Sequence, residues 1–185
     1  DLEQRGEMGG TAIFLAAQFG WHDVVEVLIQ AGANPNTPAK GGVSPVFAAA
    51  STGNHRALAA LLRGGADPNA ALPDGRTPLF MAAALGDTLA VRLLLRVGAS
   101  VTPVAMGMTA LGAALCHGQE GTAEVLKAAG APGKPGAQGY TAKATLPLDH
   151  ATARREATPE TSPMARTEIS TRACFNMSEL DMHSD

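Results

Sequence analysis

The sequence predicts an all-α fold, a solenoid of stacked helix-turn-helix repeats joined by short hairpin-like fingers. Three markers share one period over four copies. Gly20, Gly53, Gly86 and Gly118 recur at offsets of 33, 33 and 32 residues. Gly32-Ala33, Gly65-Ala66, Gly98-Ala99 and Gly130-Ala131 follow at the same offsets, as do Thr11, Ser44, Thr77 and Thr109. A period near this length is the mark of a repeat array, in which each unit buries its apolar face only against its neighbours. Composition agrees. Of the 185 residues 45% are apolar but only 4% aromatic, so the core is built from Ala, Leu and Val and suits thin, closely spaced helices.

Each copy contains two short helices. In the third, Thr77 is an N-cap and Pro78 occupies the first helical position, where a missing N–H costs nothing. Ser44-Pro45 repeats the device one copy earlier. The spacing predicts a first helix over 79–85, closed by Gly86 in a left-handed conformation. A second helix over about 88–97 carries Val91, Leu94 and Leu95 at helical spacing and stops at Gly98. The first helix is too short to survive the cost of nucleation alone, so a neighbouring copy must cover it. Ala16, Ala49, Ala82 and Ala114, each five residues after a cap, are small enough for adjacent helices to approach closely.

This pattern resembles the ankyrin repeat family over residues 1–131. The family's Gly-x-Thr-Pro-Leu, Ala-Ala and Gly read here as Gly75-Arg76-Thr77-Pro78-Leu79, Ala82-Ala83 and Gly86. Its Gly-Ala-Asp-x-Asn ending reads as Gly65-Ala66-Asp67-Pro68-Asn69 and Gly32-Ala33-Asn34-Pro35-Asn36. Two departures stand out. Phe14, Phe47 and Phe80, then Gly112, replace the family's loop-bonding His, and the Phe stripe is expected to be buried packing. Ala39 and Leu72 replace the turn Asp, which predicts looser fingers.

The resulting division is the end of a preceding repeat at 1–9, four repeats at 10–42, 43–75, 76–107 and 108–138, a degenerate terminal repeat or cap at 139–157, and a disordered tail at 158–185. Counting back from Thr11 places Asp1 inside a repeat, so the chain reads as a fragment, an isoform or an excised piece of something longer. Copy four decays: Gly112 and Gly121 stand where helix formers belong, each costing about 1 kcal/mol relative to Ala. Lys127 replaces the outer Leu62 and Leu95. Gly139-Tyr140-Thr141-Ala142 restarts the motif and Pro147-Leu148-Asp149-His150-Ala151 reads as a displaced first helix. The Thr-, Ser-, Glu- and Pro-rich stretch beyond Thr152 has the composition of disorder.

Charge and motifs narrow the function. With 14 Lys plus Arg against 17 Asp plus Glu, the chain lacks the basic field that nucleic-acid binding requires. No apolar run approaches the ~20 residues that span a bilayer, and the first ten residues lack a signal-peptide pattern. Two cysteines cannot frame a disulfide-stapled fold, which favours a cytoplasmic or nuclear setting. Cys116-His117 pairs a nucleophile with a base, but helix neighbours point about 100° apart and do not form a dyad. His22 and His55, one period apart, are expected to form a solvent-facing ladder rather than a metal site, because helix axes packed about 8–10 Å apart hold them too far from one ion. Gly9-Gly10 and Gly41-Gly42 lack the Lys and Ser/Thr of a phosphate loop and read as turns. Thr158 and Ser162 are candidate phosphoacceptors, and the sequon at Asn176 has no secretion signal beside it.

What remains is a repetitive surface and a protein partner, with no catalytic residue, metal or cofactor and a monomeric state. The ankyrin resemblance implies contact through the concave positions of the first helices, here Gln18 and Phe19, Ser51 and Thr52, Ala84 and Leu85, and Cys116 and His117. It also implies contact through the fingers: Glu7, Met8, Gly10, Lys40, Val43, Asp74, Arg76, Met106 and Met108. Trp21 is expected to be a packing residue. The rival reading is a regulatory module cut from a larger enzyme, channel or transcriptional regulator; a further one is a fragment with no independent function.

Overall fold

The structure, a computed structural model, describes residues 2–6 and 9–133. Asp1, Glu7, Met8, the terminal repeat at 139–157 and the tail at 158–185 lie outside the described residues. Eight α-helices are described: α1 (Ala12–Phe19), α2 (His22–Gln30), α3 (Pro45–Ser51), α4 (His55–Arg63), α5 (Pro78–Leu85), α6 (Thr88–Arg96), α7 (Ala110–Cys116) and α8 (Glu120–Ala128). They pair in sequence as four antiparallel hairpins. First helices pack on first helices, α1 on α3 on α5 on α7, and second helices likewise, α2 on α4 on α6 on α8. Two rows of parallel neighbours result, with the core between them.

The caps act as the sequence implies. Ser44, Thr77 and Thr109 each accept the N–H three residues on, at 3.1 Å. Gly20 and Gly86 close α1 and α5 at φ of 77° and 75°. Buried Ala16, Ala49, Ala82 and Ala114 are 0–1% exposed and let the first helices approach, while Leu58, Leu61 and Leu94 fill the space beneath the second helices. Side chains of this size are why the stack closes with so few aromatics.

The Phe stripe is buried as expected, with Phe14, Phe47 and Phe80 at 8%, 6% and 6% exposure. Phe14 packs with Ala39 and Ala48, and Phe80 with Ala105 and Ala113, so each ring reaches the next finger and the next first helix. Apolar contact thus holds the finger down where the family's His would have bonded to it. The two fingers without a turn Asp are closed by Ala39 N–H to Val43 C=O at 2.8 Å and Leu72 N–H to Arg76 C=O at 2.9 Å. The next finger is a two-stranded ladder, β1 (Val104–Ala105) against β2 (Met108–Thr109).

A ladder of side-chain bonds runs through the loops that follow the second helices. Glu3, Asn36 and Asn69 accept the N–H groups of Asn34, Asp67 and Ser100 at 2.8, 2.8 and 2.7 Å. Each bond crosses 31 residues and joins one repeat to the next. Within a loop, the Asn34 and Asp67 side chains accept from Asn36 and Asn69, an Asx turn that presents the next acceptor.

Candidate functional site

The candidate surface begins at the C-terminal ends of the first helices. Phe19 is 61% exposed, Thr52 is exposed, and Leu85 and His117 are half-buried. These four occupy one position in successive repeats, directly beyond the buried alanines. Beside them Gln18, Ser51, Ala84 and Cys116 are half-buried. Ser51 and Thr52 donate their hydroxyl protons to the Ala48 carbonyl, at 2.9 and 2.8 Å, and Thr52 Oγ1 also accepts from the Asn54 side-chain amide at 2.8 Å. Cys116 ends α7 and His117 is its C-cap.

The fingers divide into supports and tips. Val43 packs with the Phe14 cluster and Met108 with the Phe80 cluster, so these two hold fingers in place. Gly10 is buried, and its α-carbon lies so close to the Phe14 ring that a Cβ there would collide with it. Lys40 is exposed in the one-turn 3-10 helix Lys40–Gly42. Asp74 and Arg76 bind each other, Nε to Oδ2 at 2.7 Å. The Arg76 N–H, donated to Asp74 Oδ1, holds that carboxyl below its usual range. Met106 is 56% exposed at the tip of the β1–β2 hairpin and has φ of 53°; Gly107 follows at 74°. Two positive φ values in a two-residue loop make a type I′ turn, which favours Asn-Gly over Met-Gly.

Two sequence expectations change here. Trp21 is not packed away: it is 57% exposed and stacks on Phe19, centroids 5.4 Å apart. His22 and His55 do not form a ladder either. His22 meets Asp23 at 3.2 Å, whereas His55 turns to the Asp87 carboxylate at 2.6 Å. The equivalent of Asp87 one repeat earlier is Asn54, whose amide is committed to the Ala17 and Gln18 carbonyls at 3.2 and 2.8 Å, so His22 has no carboxylate across the junction. Asp87 also caps α6 by accepting Ala90 N–H at 3.0 Å. Sequence reading passed over these cross-repeat partners, although Asn54 and Asp87 share a repeat position.

A cleft of about 260 Å³ opens where α2 and α4 begin, lined by Gly20, His22, Asn54, His55 and Arg56 among others. It falls below the roughly 300–1,000 Å³ of small-molecule sites. Among the described residues no group of three His, Cys, Asp or Glu is placed to hold a metal ion, and no helix is long and apolar enough to cross a membrane.

No curated protein matches the sequence. The family model described as ankyrin repeats (3 copies) matches residues 1–72 and 46–134. With the paired helices, the capping glycines and the fingers, that match settles the family: the chain belongs to the ankyrin repeats.

Proposed function

We propose that the chain is a non-catalytic scaffold that binds a protein partner through the first-helix row and the finger tips. Ankyrin repeats are generally protein–protein interaction modules. The observation that carries the finer reading is the row Phe19, Thr52, Leu85 and His117. One repeat position carries an aromatic ring, a hydroxyl, an aliphatic chain and an imidazole, all at least partly exposed. The position three residues earlier is a buried alanine in every copy. Framework positions are uniform and the outward row is not, which is the pattern of a surface specialised for one partner. Met106 supports it: an exposed apolar side chain is held in a left-handed turn that Asn or Gly would occupy without strain. A rigid stack presents these groups already ordered, so binding loses little conformational entropy.

Peptides selected against the chain from a random display library provide the probe. Phe19→Ala combined with Leu85→Ala should weaken the selected peptides at least about tenfold, the range of one or two interface anchors, with far-UV circular dichroism unchanged. Unchanged affinity would move the site to the fingers or to the second-helix side.

A further inference from the structure

The second helices divide by charge along the stack. Positions spaced three and seven residues apart share one helix face. On its outward face α2 carries Asp23 and Glu26, and α8 carries Glu124. At the same positions α4 carries Arg56 and Arg63, and α6 carries Leu89, Arg92 and Arg96. Neither α4 nor α6 contains an Asp or Glu, although the whole chain has a net charge of −3. All four arginines are exposed, and α4 packs directly on α6. Helix axes about 8–10 Å apart and a rise of about 1.5 Å per residue gather the four guanidinium groups into one patch roughly 10 Å on a side.

Local helix energetics does not account for this band. Arg63 and Arg96 end their helices, where positive charge suits the dipole, and Arg63 also meets Glu26 at 2.6 Å. Arg56, by contrast, stands in the first turn of α4, where the dipole favours an acid and where repeat one places Asp23. Arg92 and Arg96 lie four residues apart on one helix face and repel each other. Among the described residues, Arg56, Arg92 and Arg96 make no ion pair with a carboxylate. Leu89 and Val97, 37% and 47% exposed, stand at the two ends of the Arg92–Arg96 stripe. A merely solvated helix face mixes its charges. This one gathers a single sign, leaves most of it uncompensated and sets apolar side chains beside it.

We propose that the outer face of α4 and α6 is a second binding surface, separate from the first-helix row, for an acidic peptide segment with an apolar residue among its carboxylates. Asp23 and Glu26 on one side and Glu120 and Glu124 on the other confine the band to two repeats. A phosphate backbone following the row would run onto like charge at both ends. A short acidic segment fits between them. Its carboxylates pair with guanidinium forks, which hold a carboxylate through two parallel N–H bonds, and its apolar side chain covers Leu89.

The probe is a fluorescein-labelled peptide, Glu-Leu-Ala-Glu repeated three times, titrated against the full chain by fluorescence anisotropy. Binding should weaken as salt rises, and a probe with Gln for Glu should not bind. Arg56→Glu and Arg92→Glu should each weaken the probe at least about fivefold, with far-UV circular dichroism unchanged. Lys127→Glu, the same charge reversal at an exposed position of α8, should weaken it less than about twofold. Leu89→Ser should weaken it severalfold and leave a probe with Ser in place of Leu unaffected. Phe19→Ala with Leu85→Ala should not change this probe's affinity, so the outcome is separate from that of the first-helix row. Equal losses from Arg92→Glu and Lys127→Glu overturn the proposal, as does a failure of the probe to bind at low ionic strength. So does a single-stranded oligothymidylate of equal charge that binds more tightly and is lost in the same variants, which assigns the band to nucleic acid.

Discussion

Four hydroxyl side chains occupy one capping position, and three of them accept the N–H three residues on; the fourth, Thr11, is buried with no hydrogen-bond partner for its hydroxyl among the described residues. The same residue type therefore has different worth at two sites. Thr77→Ala should lower stability by about 1 kcal/mol in urea titration, the usual loss of an N-cap. Thr11→Val, which keeps the shape and removes an unsatisfied buried hydroxyl, should leave the midpoint unchanged or raise it. Glu3 sets a second test. The Thr37 hydroxyl and then the Asn34 N–H bond its carboxylate and pull its pKa below the ordinary glutamate value. A lowered folded pKa gives stabilisation that is complete above the unfolded value and is lost as pH falls through the folded one. The protection factor of the Asn34 amide, its rate relative to the intrinsic rate at each pH, should accordingly be steady at neutral pH, fall selectively below the ordinary glutamate range, and lose that acid dependence in Glu3→Gln.

At the level of the element, hairpin and helix each carry a residue that local preference would not select. Met106 is the one non-glycine described residue with positive φ, in a turn that favours Asn-Gly. Met106→Asn should stabilise the β1–β2 finger by roughly 0.5–1 kcal/mol, since Asn tolerates the left-handed conformation that Met resists. If Met106 contacts the partner, the same change weakens peptide binding while the melting temperature rises, a trade-off that two measurements on one variant reveal. Gly121 in α8 is exposed, with open space where a methyl group would stand and no positive φ. Gly121→Ala should raise stability by up to about 1 kcal/mol, read from the urea midpoint. These elements were largely legible beforehand, because caps, prolines and terminal glycines are local signals: Thr77-Pro78 and Gly86 bound α5 within the chain's own text. The hairpin strain was not, since a φ value is decided by how Phe80, Ala105 and Met108 pack the finger onto its neighbours.

Across the whole molecule the same division holds. The period, the buried alanines and the Phe stripe follow from each repeat needing its neighbour, which repetition makes visible in sequence. The exposed Trp21, the His55–Asp87 pair and the Asn36 and Asn69 ladder depend on what one repeat presents to the next, and no single copy records that. Such a stack is close to one-dimensional: substantial helix contacts link only a repeat and its immediate neighbours. Damage should therefore stay near where it is introduced. Ala114 is fully buried where α7 meets its neighbours, and Ala114→Leu forces extra methylenes into that seam at a cost of about 1–3 kcal/mol. Native-state hydrogen exchange should show α7 and α8 losing protection by one to two orders of magnitude, α5 and α6 less, and α1 to α4 close to their original rates. The reciprocal change Ala49→Leu, at the seam of α1, α3 and α5, should instead lower protection in repeats one to three. Equal loss along the chain from either substitution would mean that the four repeats open as one unit, and the nearest-neighbour account of this stack would then be wrong.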